Sequence, residues 1–230
     1  MAKILGTIAI PIAIAVHANT GFVFGLNYGT PIWFTAIMPV VFVVSAILSG
    51  LAWLLVVLII RNRLVKPELR VGDDVILGIS QMLAWMVGIE LFLIFADLLT
   101  MFFAGAEDYE ALTLLLNGPF TWSFLGVEVI LGSLIPLLLI AYSQRNHHTK
   151  LSLLYSTLVV IGVLAMRYNV VIGGQTIPKT GSELIEYFPT VREIGVTAGL
   201  IVIWILLMFL AFKFLPLDKG FIAAAEHKKT

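Results

Sequence analysis

Glu90 and Asp97 lie seven residues apart in "LGISQMLAWMVGIELFLIFADLLTMF", residues 77 to 102, an apolar stretch without lysine or arginine. Seven residues on a helix is about two turns, so both carboxylates fall on one face, where they form two steps of a path for a proton. Three more ionisable groups stand in equally apolar surroundings: His17, Glu128 and Arg167, the last followed by Asn169 and Gln175 in "RYNVVIGGQTIP". Each such group costs at least ~2.5–3.5 kcal/mol in lipid, so it faces a bundle interior, a partner or a water-filled cavity. A plainer role stands beside each. Arg167 opposite Asp97 or Glu128 reads as a structural buried ion pair, His17 as a hydrogen bond to a neighbouring helix, and Asn169 and Gln175 as partners for backbone at a helix end. Glu90 resists such a reading, because no basic residue of the chain lies at its depth.

The elements that position these groups follow from composition. Of 230 residues, 60% are hydrophobic and 12% charged, and mean hydropathy is +1.04. This is an integral membrane protein of all-α class, because its apolar runs are continuous and far longer than the roughly 9–11 residues of a spanning strand. Six runs are long enough to cross a bilayer: 4 to 26, 32 to 60, 75 to 104, 120 to 143, 151 to 173 and 193 to 215. They make residues 1–217 one transmembrane domain, with 218–230 as a tail. On these bounds His17, Asp97, Glu128 and Arg167 share one depth, and Glu90 lies nearer the membrane centre. Arg167 is then placed to hold Asp97 or Glu128 charged. The absence of cysteine excludes thiolate catalysis, disulfides and iron–sulfur ligation by this chain.

Charge placement orients the spans. Lys3, Arg61, Arg63, Lys66, Arg70, Arg145, Lys150, Lys213, Lys219, Lys228 and Lys229 all fall on one side. The opposite loops hold Glu107, Asp108, Glu110, Glu183 and Glu186 with Lys179, while Arg192 sits at the edge of the last helix. By the positive-inside rule both termini are cytoplasmic and the acidic loops face outward. The first run, "MAKILGTIAIPIAIAVHA", has signal-peptide features, yet its apolar character continues through "GFVFGL", which predicts a retained helix. Residues 106 to 120, "AEDYEALTLLLNGPF", read as an amphipathic surface helix able to receive a soluble partner. The small residues Ser45, Ala46, Ser49 and Gly50 predict a close helix–helix approach. The "VIGG" glycines lack the spacing of a nucleotide loop, and the adjacent His147 and His148 are weak metal ligands.

"PIAIAVHANTGFVFG", "PIWFTAIMPVVFVVSAILSGLAW", "IELFLIFADLLTMF" and "RYNVVIGGQTIP" resemble, in order, the later helices of the polysulfide reductase/NrfD family of quinone-interacting membrane subunits. The likeness covers about residues 8 to 178 and is nearest to the larger members, such as the membrane subunits of alternative complex III. It implies a four-helix bundle formed by the second to fifth spans, with flanking helices and no covalently bound group. Its substrate would be an exchangeable quinone, menaquinone or ubiquinone. Its partners would be a ferredoxin-like iron–sulfur subunit on the outer face and a catalytic redox subunit, which would hold the iron–sulfur clusters and haem or molybdenum cofactor. The larger members hold two such bundles. The resemblance therefore also implies either a second membrane chain supplying the other bundle or a compact version that does both jobs.

Quinone contacts or proton-path residues are sought among His17, Glu90, Asp97, Glu128, Arg167, Asn169 and Gln175, with the five outer acids as docking residues. The function expected is that of a subunit of a quinone-linked respiratory complex, rather than a complete enzyme. A proton-coupled permease would use the same charges, but no inverted repeat supports it. A non-catalytic membrane anchor is the third alternative. Solute uptake by the chain alone would favour the permease, and indifference of turnover to the buried charges would favour the anchor.

Overall fold

The computed structural model describes residues 2–67, 70–176 and 189–214, and among them every regular element is helical. The elements are α1 (Ala2–Gly25), α2 (Met38–Leu64), α3 (Asp73–Ala104), α4 (Ala106–Leu116), α5 (Trp122–Arg145), α6 (Ser152–Thr176) and α7 (Val191–Phe214). All but α4 are long and apolar enough to cross a membrane, as the six apolar runs predict. The protein forms two compact units, Met1–Ile60 with Gly72–Ile185 and Arg61–Val71 with Glu186–Thr230. In the second unit, the Asn62 side chain bonds both the N–H and the carbonyl of Val71, closing that loop on itself. There too, Thr190 and Glu193 form a reciprocal capping box that starts α7.

The first unit holds the candidate residues. Its four spans α2, α3, α5 and α6 each bury a stripe of side chains, with Leu48, Ala52, Leu55, Leu83, Val87 and Val159 wholly inaccessible. α1 is exposed along most of its length, as a helix facing lipid is allowed to be. One end of this unit bears α4, and the opposite end bears the α5–α6 turn with Arg145. At that basic end Gln144 Nε2 donates to the Leu77 carbonyl at 2.6 Å, and Thr149 Oγ1 donates to Asp73 Oδ1 at 2.8 Å, so the turn is fastened to the start of α3. The His147 and His148 turn belongs here, and among the described residues no group of histidines and acids is arranged to hold a metal.

Three departures from the sequence reading shape the site. The run 32 to 60 is divided: residues up to 37 form turns, and the helix starts at Met38. Pro31 lacks an N–H, which favours a turn there over a helix interior, and Pro39 suits the first turn of a helix, where an N–H would have no partner in any case. The freed segment tucks against the end of α6, where Trp33 Nε1 donates to the Val170 carbonyl at 2.5 Å. The indole lies so close to Gly174 that a Cβ there would sit 2.0 Å from it, which accounts for the second of the "VIGG" glycines. Close helix approach is found at Gly132 and Gly162, where an added Cβ would stand 2.3 or 2.4 Å from the opposing Cα. Gly50, by contrast, has nothing within 4 Å. Finally, Trp122–Leu134 of α5 is a π-helix, giving way to α-helix at Ile135. Pro136 sits buried at the junction, where its ring disfavours the ordinary bond to residue 132.

Candidate functional site

The bundle brings four of the expected residues into one cavity of about 60 Å³. Glu90 and Asp97 come from α3, Glu128 from the π-helical part of α5, and Asn169 from α6. Ile32, Met38, Met101, Leu115 and Phe124 are among its apolar walls. Helix lengths explain the meeting: Asp97 and Asn169 each lie seven residues, ~10 Å, from the α4 end of their helices, and Glu128 lies six residues into α5. Glu128 is 5% exposed and accepts a bond from Asn169 Nδ2 at 2.6 Å. The other end of that amide accepts the Ser123 hydroxyl. Ser123, which the sequence reading does not single out, thereby fixes which way Asn169 faces. A serine at the start of an apolar run, five residues before Glu128, matches no motif, so no sequence signal marks it.

Glu90 is also 5% exposed. Thr35, in the turn before α2, approaches the Asp97 carboxyl, yet Asp97 Oδ1 is buried without a partner. Three carboxylates on a small cavity invite a cation, but they are not gathered into a ligand set. A cavity of this size, with a carboxylate oxygen left unmatched, suits water.

Arg167 takes a different partner from the one expected. Its Nη2 donates to Ser45 Oγ on α2 at 2.8 Å, and its guanidinium lies over the Phe42 ring, 4.1 Å from the centroid. The carboxylate that interacts with its charge is Glu90, not Asp97 or Glu128. The expectation that no basic residue reaches Glu90 is thus corrected: the charge of Arg167 acts on it across the difference in depth, while α6 turns the guanidinium toward α2.

His17 lies apart from this chamber. It lines a groove of about 150 Å³ between α1 and α2 with Ala13, Ile14, Val43, Ala46 and Ile47. Nδ1 pairs with the Ala13 carbonyl at 2.9 Å, so the proton of that bond is on Nδ1 and Nε2 is left for a ligand. Gln175 is exposed at the end of α6 and joins neither cavity. Of the acidic docking residues, Glu110 is exposed and Asp108 half-buried on α4, whereas the Glu107 side chain, Glu183 and Glu186 lie outside the described residues.

The family model described as polysulphide reductase, NrfD, matches residues 1–179. This protein belongs to the polysulphide reductase NrfD family. It is 29% identical over 225 residues to a selenate reductase subunit of Mesobacillus selenatarsenatis, a match that takes in 93% of this chain and 51% of that one. A putative dimethyl sulfoxide reductase membrane subunit of Halobacterium salinarum is 30% identical, over 92% of this chain and 53% of the relative. A polysulfide reductase chain of Wolinella succinogenes is 30% identical over 76% and 55%. The protein thus spans about half the length of the curated relatives it matches. It is a multi-pass membrane protein of a family whose members serve multi-subunit, quinone-linked reductases.

Proposed function

We propose that this protein is the membrane subunit of a respiratory oxidoreductase complex, exchanging electrons between the quinone pool and a ferredoxin-like iron–sulfur subunit docked at the α4 end. The complex is completed by a catalytic redox subunit. The protein sits in the cytoplasmic membrane with both termini inside and α4 outside, in keeping with the one-sided lysines and arginines.

The observation that carries this reading is that His17, whose Nδ1 is taken by the Ala13 carbonyl, has its second ring nitrogen in an otherwise apolar groove between α1 and α2, whereas the chamber is lined by three carboxylates. A quinone ring is accordingly assigned to the His17 groove. The lipid-facing groove suits a ligand that arrives from the bilayer, and Nε2 is positioned to bond a ring oxygen. A bound quinol would supply two electrons and two protons; Glu90, Asp97 and Glu128 serve the protons.

The test is purification in mild detergent followed by a quinone-linked assay. An iron–sulfur protein and a redox subunit should copurify, and His17→Ala should raise the KM for quinol more than it lowers kcat. A single species that transports a solute, or a His17→Ala complex with unaltered quinol kinetics, would overturn the reading.

A further inference from the structure

The polar groups around the carboxylate chamber are unevenly distributed along the bundle axis. Toward the α4 end one route leaves it. Asp97 is half-buried and meets Thr35 in the turn before α2, whereas the Asn169 amide beside Glu128 and the Ser123 hydroxyl, which also donates to the Phe120 carbonyl, form a fixed network that passes no proton. Toward the basic end the interior is filled by Leu48, Ala52, Leu55, Leu83, Val87 and Val159, none of them accessible. Two buried hydroxyls near the chamber are already engaged. Ser133 donates to the Glu128 carbonyl at 3.1 Å, and Ser45 donates to the Phe42 carbonyl while accepting from Arg167.

The next buried polar cluster lies ten residues further along α3, ~15 Å from Glu90. There Ser80 Oγ donates to the Ile76 carbonyl at 2.7 Å. With its own proton committed, Ser80 must accept from the Tyr155 hydroxyl at 2.5 Å, and Tyr155 in turn accepts from Ser152 at 2.7 Å. This series of bonds has one direction and ends on a backbone carbonyl, which cannot pass a proton on. It is a staple between α3 and α6, not a relay. Arg167, beside Glu90, adds a positive charge that opposes entry of cations.

We infer that the Glu90–Asp97–Glu128 chamber is a blind water pocket that exchanges protons with the α4 side only, so that this bundle holds no proton path through to its basic end. The inference rests on the proton role proposed for the carboxylates and specifies the side they serve. Its consequence is that protons leaving a quinol at this subunit are delivered to the α4 compartment without transmembrane conduction through these four helices.

Because these 230 residues contain no cysteine, alkylation of this chain, once it is resolved from its partner subunits in denaturant, reports only the replaced position. Val41→Cys and Asp97→Cys place a thiol in the chamber, and Leu48→Cys places one in the apolar segment. The complex would be kept in sealed vesicles of known orientation and exposed on one side to silver ion, which is water-sized and thiol-specific. Protection of each thiol against later alkylation in denaturant is then measured. Both chamber thiols should be protected from the α4 side and not from the basic side, and Leu48→Cys from neither. Protection of the chamber thiols from the basic side, or from neither side, overturns the inference. Val41→Cys changes no charge, so it remains informative if Asp97→Cys fails to assemble. Silver access is read without turnover, whereas failure of the quinone reading would appear in the His17→Ala kinetics.

Discussion

Asn169 uses both ends of its amide within the chamber, donating to Glu128 and accepting from Ser123. Asn169→Leu fills similar space but leaves a buried carboxylate and a hydroxyl without partners, at about 1–3 kcal/mol. Thermal unfolding of the purified protein should show a clear fall in midpoint, and an unchanged midpoint would mean that water replaces the amide fully. Arg167→Ala removes the hydrogen bond to Ser45 and the contact with the Phe42 ring and should lower the yield of folded protein, at a cost of about 1–3 kcal/mol. Arg167→Lys restores the charge but not the flat contact with Phe42, and should recover only part of that yield. Glu90→Gln keeps the shape and should assemble normally while turning over more slowly, which the quinone-linked assay reads. These residues were legible in the sequence because an ionisable group in an apolar run is conspicuous and helix rise gives its depth. Their pairing was not, since depth leaves the azimuth free: the same arithmetic that grouped Asp97, Glu128 and Arg167 gave the arginine the wrong carboxylate.

At the level of helices, the contact between Gly132 and Gly162 lets α5 and α6 touch backbone to backbone. Gly132→Ala must force them apart or rotate them, an overpacking change that costs typically ~1–3 kcal/mol. Gly50→Ala meets nothing within 4 Å, and should be neutral or stabilising by up to ~1 kcal/mol, since alanine is the better helix former. Melting both variants side by side checks the assignment, and equal midpoints would remove the special status of the α5–α6 crossing. The spans themselves were readable because a continuous apolar run of this length has few other fates. The stretch after α3 was readable from its mixture of acids and leucines, and its Leu112 and Leu115 pack with Met101, Phe120 and Phe124 as α4. What sequence could not supply was which glycine meets another helix. The π-helical stretch that bears Glu128 was equally hidden, because both features depend on the packed neighbour rather than on local pattern.

Across the whole molecule, the division of charge is the property with the widest consequence. By loop order eleven of the fourteen basic side chains fall on one side, whereas α4 presents Glu110 and a half-buried Asp108 on the other, beside Tyr109, which is 49% exposed. The sequence showed this asymmetry completely, since it depends only on loop order, while the half-length match to the relatives became visible only by comparison. If the α4 end receives a soluble redox partner, its acids act mainly on the rate of encounter, because exposed charges at a rim steer association more than they hold the complex. Neutralising Glu107, Asp108, Glu110, Glu183 and Glu186 together should therefore slow binding of the iron–sulfur subunit at low ionic strength and leave its dissociation nearly unchanged. Raising salt toward 1 M shortens the Debye length to about 3 Å and should bring wild type and variant to the same association rate. Stopped-flow association across a salt series measures this directly. Identical rates at low salt would deny these acids any part in docking and leave them as solvated loop residues.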